Sequence, residues 1–244
     1  MKFLKHLPNA ITCLNLLCGC LALVLVFRSQ LYITSCLLLA AMVFDFLDGM
    51  AARLLKAHSP IGKELDSLAD VVSFGVVPAA IMYQLMNLAI AHSAAADYPV
   101  VVRLFLHIAP FSIAIFSALR LAKFNIDERQ HTSFIGLPTP ASAMLVIALP
   151  LMLHQDTAKY QALVFQPISL LVFSALLSYL LVSPLPLLSL KFSNLGVKGN
   201  ELRYALIAAS SILLIVLQAA AIPIIILLYI VFSLIETLFL KKTT

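Results

Sequence analysis

The chain has 244 residues, of which 62% are apolar and 11% charged, against about 45–50% and about 25% in soluble domains. With a mean hydropathy of +1.05, this composition excludes a water-soluble enzyme, a disordered chain and a disulfide scaffold, and leaves a polytopic membrane protein. The net charge of +5 gives no case for nucleic acid as a partner, because the basic residues stand in short clusters between apolar runs, where they meet anionic headgroups and set topology.

A membrane-crossing helix needs about 20 mostly apolar residues. In chain order, candidate spans fall near 10–27, 31–55, 66–91, 100–124, 139–154, 167–185, 203–219 and 222–240. The expected fold is an all-α, polytopic helical bundle of about eight transmembrane helices, with residues 1–244 forming a single domain. The fifth span is short and bounded by prolines, and only a few residues around Pro223 part the last two, at 203–240. With the N-terminus in the cytoplasm, thirteen of the sixteen Lys and Arg lie at cytoplasmic ends, leaving Arg28, Arg103 and Lys159 opposite. That bias fits an even number of spans with both termini cytoplasmic. The first run has no convincing small-residue cleavage site and reads as a retained helix. Cys13, Cys18, Cys20 and Cys36 lie in the first two runs, match no common zinc spacing, and read as small hydrophobes.

Acidic residues are scarce and unevenly placed: five of the eleven fall between positions 45 and 70, namely Asp45, Asp48, Glu64, Asp66 and Asp70. Asp45 and Asp48 are three apart at the end of the second span, about 60° from each other on one helix face and offset by about 4.5 Å. Asp66 and Asp70 are four apart at the start of the third. The linker with Ser59, Pro60 and Gly62 turns the two spans antiparallel, so two carboxylate pairs face each other near the cytoplasmic boundary. Four such groups repel one another and lose hydration, and either protonation or bound cations must compensate. Two hard divalent cations among oxygen ligands suit phosphate chemistry. Gly49 and Ala52 let a bulky ligand approach the second helix, and Arg53 offers a phosphate a planar fork. Pairing of single aspartates with Arg53, Lys56 or Lys63 is the bland alternative. A proton or ion transporter is the rival function, but transport calls for acids spread through the bilayer depth, and these sit at one edge. A scaffold or insertion factor gives no reason for four aligned aspartates.

In this pattern the sequence resembles the CDP-alcohol phosphatidyltransferases. The family motif is Asp, two residues, Asp-Gly, two residues, Ala-Arg, a short gap, Gly, three residues, Asp, three residues, Asp. It is matched by Asp45, Asp48, Gly49, Ala52, Arg53, Gly62, Asp66 and Asp70. The resemblance implies a divalent-metal transferase, using Mg2+ or Mn2+ as a pair of ions, that breaks the pyrophosphate of a CDP-activated lipid, releases CMP and joins the phosphatidyl group to an alcohol. The runs PNAITCLNLLCG (8–19), DSLADVVSFGVVPA (66–79), ALRLAKFN (118–125) and FIGLPTPASA (134–143) resemble the membrane members of the family that take serine as acceptor. CDP-diacylglycerol and L-serine are then the expected substrates in phospholipid biosynthesis, and a phosphatidylglycerophosphate-forming or other acceptor specificity is the alternative.

By the same resemblance Asp45, Asp48 and Asp66 ligate the metals, and Asp70 is both close to them and the general base. Gly49, Ala52 and Arg53 hold the cytidine nucleotide, with Gly62 in the same motif. Asn9 and Thr12, at the start of the first span, either reach that nucleotide or only cap a helix. Arg120 and Lys123, at the cytoplasmic end of the fourth span, are candidates for the acceptor carboxylate or a lipid phosphate, with topology anchoring as the alternative. Lys123 stands where Arg is expected, so its charge is kept but not the planar fork. The resemblance further implies a homodimer in the inner (cytoplasmic) membrane, its site at the cytoplasmic face.

Overall fold

The computed structural model describes residues 6–57, 59–126, 134–187, 196 and 200–236. Two long helices open the chain, α1 (Leu7–Phe27) and α2 (Leu31–Leu54), packed as an antiparallel hairpin. The buried residues of α1 are Pro8, Thr12, Asn15, Gly19, Ala22 and Val26, a stripe repeating every three or four positions. Its other faces carry exposed Leu14, Leu17, Leu21 and Val24. Small and polar residues inside with large apolar ones outside is the pattern of a helix that packs on neighbours and faces lipid. Exposed Phe46, Ile115, Leu176 and Ile215 extend that apolar exterior around the molecule, which is an integral membrane protein.

The turn from α2 into α3 (Pro60–Asp70) has strong local determinants. Lys56 takes a positive φ of 49°, Ser59 caps the new helix by accepting from Gly62 N at 3.1 Å, and Pro60 fills the first turn, where its missing N–H costs nothing. A π-helical stretch, Val71–Val76, joins α3 to α4 (Val77–Ala91). Such insertions re-aim side chains and occur often at functional sites. This one begins at the residue after Asp70. Apolar but for Tyr83, Gln84 and Asn87, α4 lies at the centre of the bundle, with Ile81, Met82, Leu85 and Met86 fully buried.

Around it stand α5 (Val100–Ile108), α6 (Ser112–Ile126), α7 (Thr139–Gln155), α8 (Thr157–Val164), α9 (Pro167–Val182), α10 (Glu201–Leu217) and α11 (Ala221–Ile235). Two two-residue strands, β1 (Phe134–Ile135) and β2 (Pro186–Leu187), pair antiparallel and tie the entry of α7 to the exit of α9. α3 and α4 run on as one span, Pro60–Ala91, and α5 and α6 as another, Val100–Ile126. Lys63 Nζ donates to the Asn125 carbonyl at 3.0 Å at the carboxylate end, while Gln84 Nε2 donates to Ser29 Oγ at 2.9 Å at the other.

The number of spans departs from expectation. Among the described residues, five helical runs, Glu201–Ile235 counted as one of them, are long and apolar enough to cross a membrane, or six if α8 and α9, bent by 72°, count as one span; eight is not established. The shortfall lies in the second half. The expected fifth span is only 17 residues long. The run Glu201–Ile235 has 35 residues and, as one straight helix, would reach about 50 Å. Arg203 and Glu236, near its two ends, nevertheless form an ion pair at 3.6 Å. The run is therefore folded back on itself at Gln218, whose φ of 51° and ψ of −120° break the helix. The end of the expected eighth span, and Lys2, Lys5, Arg129, Lys191, Lys198, Lys241 and Lys242, lie outside the described residues.

Candidate active site

The last turns of α2 and the body of α3 bring the expected carboxylates together. Ligand oxygens of Asp45, Asp48 and Asp66 all lie within 4.8 Å of one another. Asp70, one turn beyond Asp66, stands outside that set of three but within electrostatic range of each member. Burial is deep: Asp48 is 5% exposed and Asp70 7%. Pairing with neighbouring cations does not account for them. Arg53, Lys56 and Lys63 are exposed, and among the described residues none of the four aspartates takes part in an ion pair.

Two oxygens, Asp48 Oδ2 and Asp66 Oδ1, are buried without a hydrogen-bond partner. A buried carboxylate oxygen lacking both donor and counter-charge is costly. A hard cation among three carboxylates supplies what is missing, and an all-oxygen donor set suits such an ion rather than zinc. The residues present therefore fit a divalent metal.

Beside this cluster lies a cavity of about 220 Å³ between α1, α2 and α3. Asn9, Thr12, Gly49, Ala52, Arg53 and Gly62 all line it, together with Asp48 and Asp66. The structure thus places every residue expected to hold the nucleotide on one wall with two of the expected metal ligands. Gly62 is tightly packed: a Cβ there would lie 3.0 Å from both Asn9 Oδ1 and Ser59 Oγ. Gly49 is not, since the nearest atom to a Cβ would be the Arg53 guanidinium at 3.7 Å. Its missing side chain leaves room in the cavity. Thr12 does bond locally, donating to the Pro8 carbonyl at 3.1 Å, and its side chain also faces Asp48.

The two candidate acceptor cations part company. Arg120 is 8% exposed; its Nη1 donates to Thr139 Oγ1 at 2.9 Å, its guanidinium lies 5.5 Å from the Phe124 ring centre, and its Nε is buried without a partner. A topology anchor would sit in water, and this arginine does not. It acts on Asp70 through space. Lys123 is exposed. A small network holds α3 against α6 nearby: Lys63 donates to the Asn125 carbonyl, and Asn125 Nδ2 donates to Ser67 Oγ at 2.8 Å.

Sequence reasoning passed over Asn15, Thr139 and Lys63 as site residues. Asn15 shares the α1 stripe with Thr12, three positions on, and that spacing was the available signal. All four cysteines are free, and Cys13, Cys20 and Cys36 lie on exposed helix faces, in keeping with their reading as small hydrophobes.

A family model described as CDP-alcohol phosphatidyltransferase matches residues 5–185. The chain is 33% identical over 187 residues to a CDP-diacylglycerol–serine O-phosphatidyltransferase of Bacillus subtilis, covering 74% of this chain and 88% of the relative. It is 33% identical over 237 residues to the Helicobacter pylori protein of the same name, covering 96% of this chain and 91% of the relative. A Methanocaldococcus jannaschii protein of that name is 36% identical over 143 residues, 58% of each chain.

Proposed function

The chain belongs to the CDP-alcohol phosphatidyltransferase family, and from that premise we propose that it transfers the phosphatidyl group of CDP-diacylglycerol to the hydroxyl of L-serine, giving phosphatidylserine and CMP. The observation that carries the reading is the shared wall of the α1–α2–α3 cavity, where the residues suited to a nucleotide meet buried, unpartnered carboxylate oxygens. Serine as the acceptor is supported by relatives of that activity at 33% identity over most of both chains.

Asp45, Asp48, Asp66 and Asp70 would hold two divalent ions, Mg2+ or Mn2+, whose chemistry when bound is to neutralise the pyrophosphate and the charge growing on its oxygens. Arg53 and the open backbone at Gly49 and Ala52 receive the cytidine nucleotide, with Asn9, Thr12 and Gly62 completing its wall. Asp70 accepts the proton of the serine hydroxyl. The hydroxyl oxygen forms a bond to the phosphorus that carries diacylglycerol, the bridging P–O bond of the pyrophosphate breaks, and CMP leaves with the electron pair. Positioning and charge stabilisation do most of the work in such a transfer. The acyl chains lie along the apolar exterior between helices, which is why the reaction runs inside a membrane protein. The basic bias of the carboxylate end supports a site at the cytoplasmic face; the proposed setting is the cytoplasmic membrane, with residues 1–244 as a single domain and the family resemblance supporting a homodimer. Lys123, exposed at that face, meets lipid phosphates.

Serine differs from ethanolamine by a carboxylate, and Arg120 is the buried cation suited to it. Loss of a charge-assisted hydrogen bond costs about 1.5–3 kcal/mol, or about 10- to 150-fold. Arg120→Ala is expected to raise the serine KM by that factor, with a smaller effect on CDP-diacylglycerol; an unchanged serine KM would move the carboxylate site elsewhere. Gly49→Leu tests the nucleotide wall. Its first carbon fits the fold, but the rest enters the cavity, and overpacking of about 1–3 kcal/mol corresponds to a CDP-diacylglycerol KM raised about 5- to 150-fold in a protein that still folds. The function itself is tested by supplying labelled serine and CDP-diacylglycerol to the purified protein. Label should appear in extractable phosphatidylserine, and a lipid fraction without label would reject serine as the acceptor.

A further inference from the structure

Two of the sequence runs singled out above, 8–19 and 66–79, meet inside the bundle at a contact that the proposed chemistry leaves without a task. Asn15 of α1 is 0% exposed, and its Nδ2 donates to Asp70 Oδ1 at 3.3 Å. Its backbone is held as well, since Ser73 Oγ donates to the Asn15 carbonyl at 3.1 Å. Ser73 lies in the π-helical stretch after Asp70. Gly19, one turn along α1, makes the approach possible: a Cβ there would fall 2.5 Å from Ser73 Oγ and 3.2 Å from Ser73 Cα. Asn15 is thereby tied to the Asp70 region twice, through its side-chain amide and through its backbone carbonyl.

Only the amide nitrogen can face a carboxylate, because the amide oxygen would repel it. In that orientation Asn15 Oδ1 is buried without a partner. A residue serving packing alone would not leave such a group, because an apolar side chain of the same size fills the space without it. Asp70, meanwhile, stands among the like charges of Asp45, Asp48 and Asp66, which repel its carboxylate. A neutral donor on the opposite helix holds it without adding charge.

We infer that Asn15 is a positioning residue for the transfer: it holds one oxygen of Asp70 so that the other meets the acceptor hydroxyl. The inference rests on the reading of Asp70 as the base.

The test uses the 244-residue protein carrying Asn15→Ala, Asp70→Asn or both, with Asn15→Leu, which keeps the branching and the side-chain heavy-atom count but lacks a donor, as the second variant should Asn15→Ala fail to fold. Removing Asn15 is expected to lower kcat about 10- to 150-fold while both KM values stay within about threefold. The rise in Tm on adding Mn2+ should be kept. In the Asp70→Asn background the same removal should cost less than about twofold, because a residue that acts through Asp70 has nothing left to act on. An unchanged kcat, or a loss that persists in full in the Asp70→Asn background, would overturn the inference. So would KM values for both substrates that climb as kcat falls. Wild-type turnover by Asp70→Asn itself would bring down the base assignment and this inference together, whereas silent Asn15 variants beside a crippled Asp70→Asn would bring down the inference alone.

Discussion

Asp45→Asn and Asp66→Asn are each expected to lower serine-dependent CMP release by about a thousandfold or more, with the protein still monodisperse in detergent. An amide does not replace a carboxylate as a ligand for a hard divalent cation, and a metal's share of charge stabilisation is about 4 kcal/mol, or about 10³ in rate. Asp45, Asp48 and Asp66 share a set of oxygens within 4.8 Å, so neutralising one also relieves like-charge repulsion. The metal-free variants should therefore unfold at the wild-type Tm or above it. They should also lose the rise in Tm that Mn2+ gives the wild type by binding the folded state. Chelation of the wild type should abolish turnover, and added Mg2+ or Mn2+ should restore it. A variant that fell in Tm without metal, yet kept its Mn2+ response and its rate, would show that the carboxylates serve the fold.

Asp70→Asn is the second large effect. Removal of a general base costs about 10²- to 10⁴-fold in rate, and CDP-diacylglycerol should bind nearly as well as to the wild type, because Asp70 is not among the residues lining the nucleotide cavity. If Asp70→Asn instead loses substrate and metal binding together, Asp70 is chiefly a ligand and another group takes the proton.

The carboxylate site was legible because its geometry is local. Separations of three and four residues put each aspartate pair on one helix face, and Ser59-Pro60 starts a helix that must turn back along α2. Gly49 was legible for a related reason: the absence of a side chain can be read without knowing its neighbours. Asn15 was not. Periodicity puts it on the stripe of Thr12 and Gly19, but its contact is with Asp70, 55 positions away, and depth in a bundle is a property of packing. Arg120 and Lys123 show the limit of charge counting. The positive-inside rule places both at one membrane face, yet three positions along a helix separate a buried guanidinium from an exposed ammonium. The separation of the last two apolar runs was legible, and the break expected near Pro223 falls at Gln218. The count of eight was not, because hydropathy does not record the bend between α8 and α9 or show whether the 17-residue α7 crosses a membrane. Strands of two residues, such as β1 and β2, are too short to leave a period.

Metal-dependent phosphatidyl transfer to serine stands or falls on a comparison of acceptors. Purified protein is given CDP-diacylglycerol and Mg2+ or Mn2+, with serine, glycerol 3-phosphate or inositol supplied in turn, and CMP release is followed. Rapid release is expected with serine, little with the other two, and none with any acceptor after chelation. Release driven by glycerol 3-phosphate or inositol would keep the chemistry and reject the acceptor. Release that continued without divalent metal would contradict the role given to Asp45, Asp48 and Asp66.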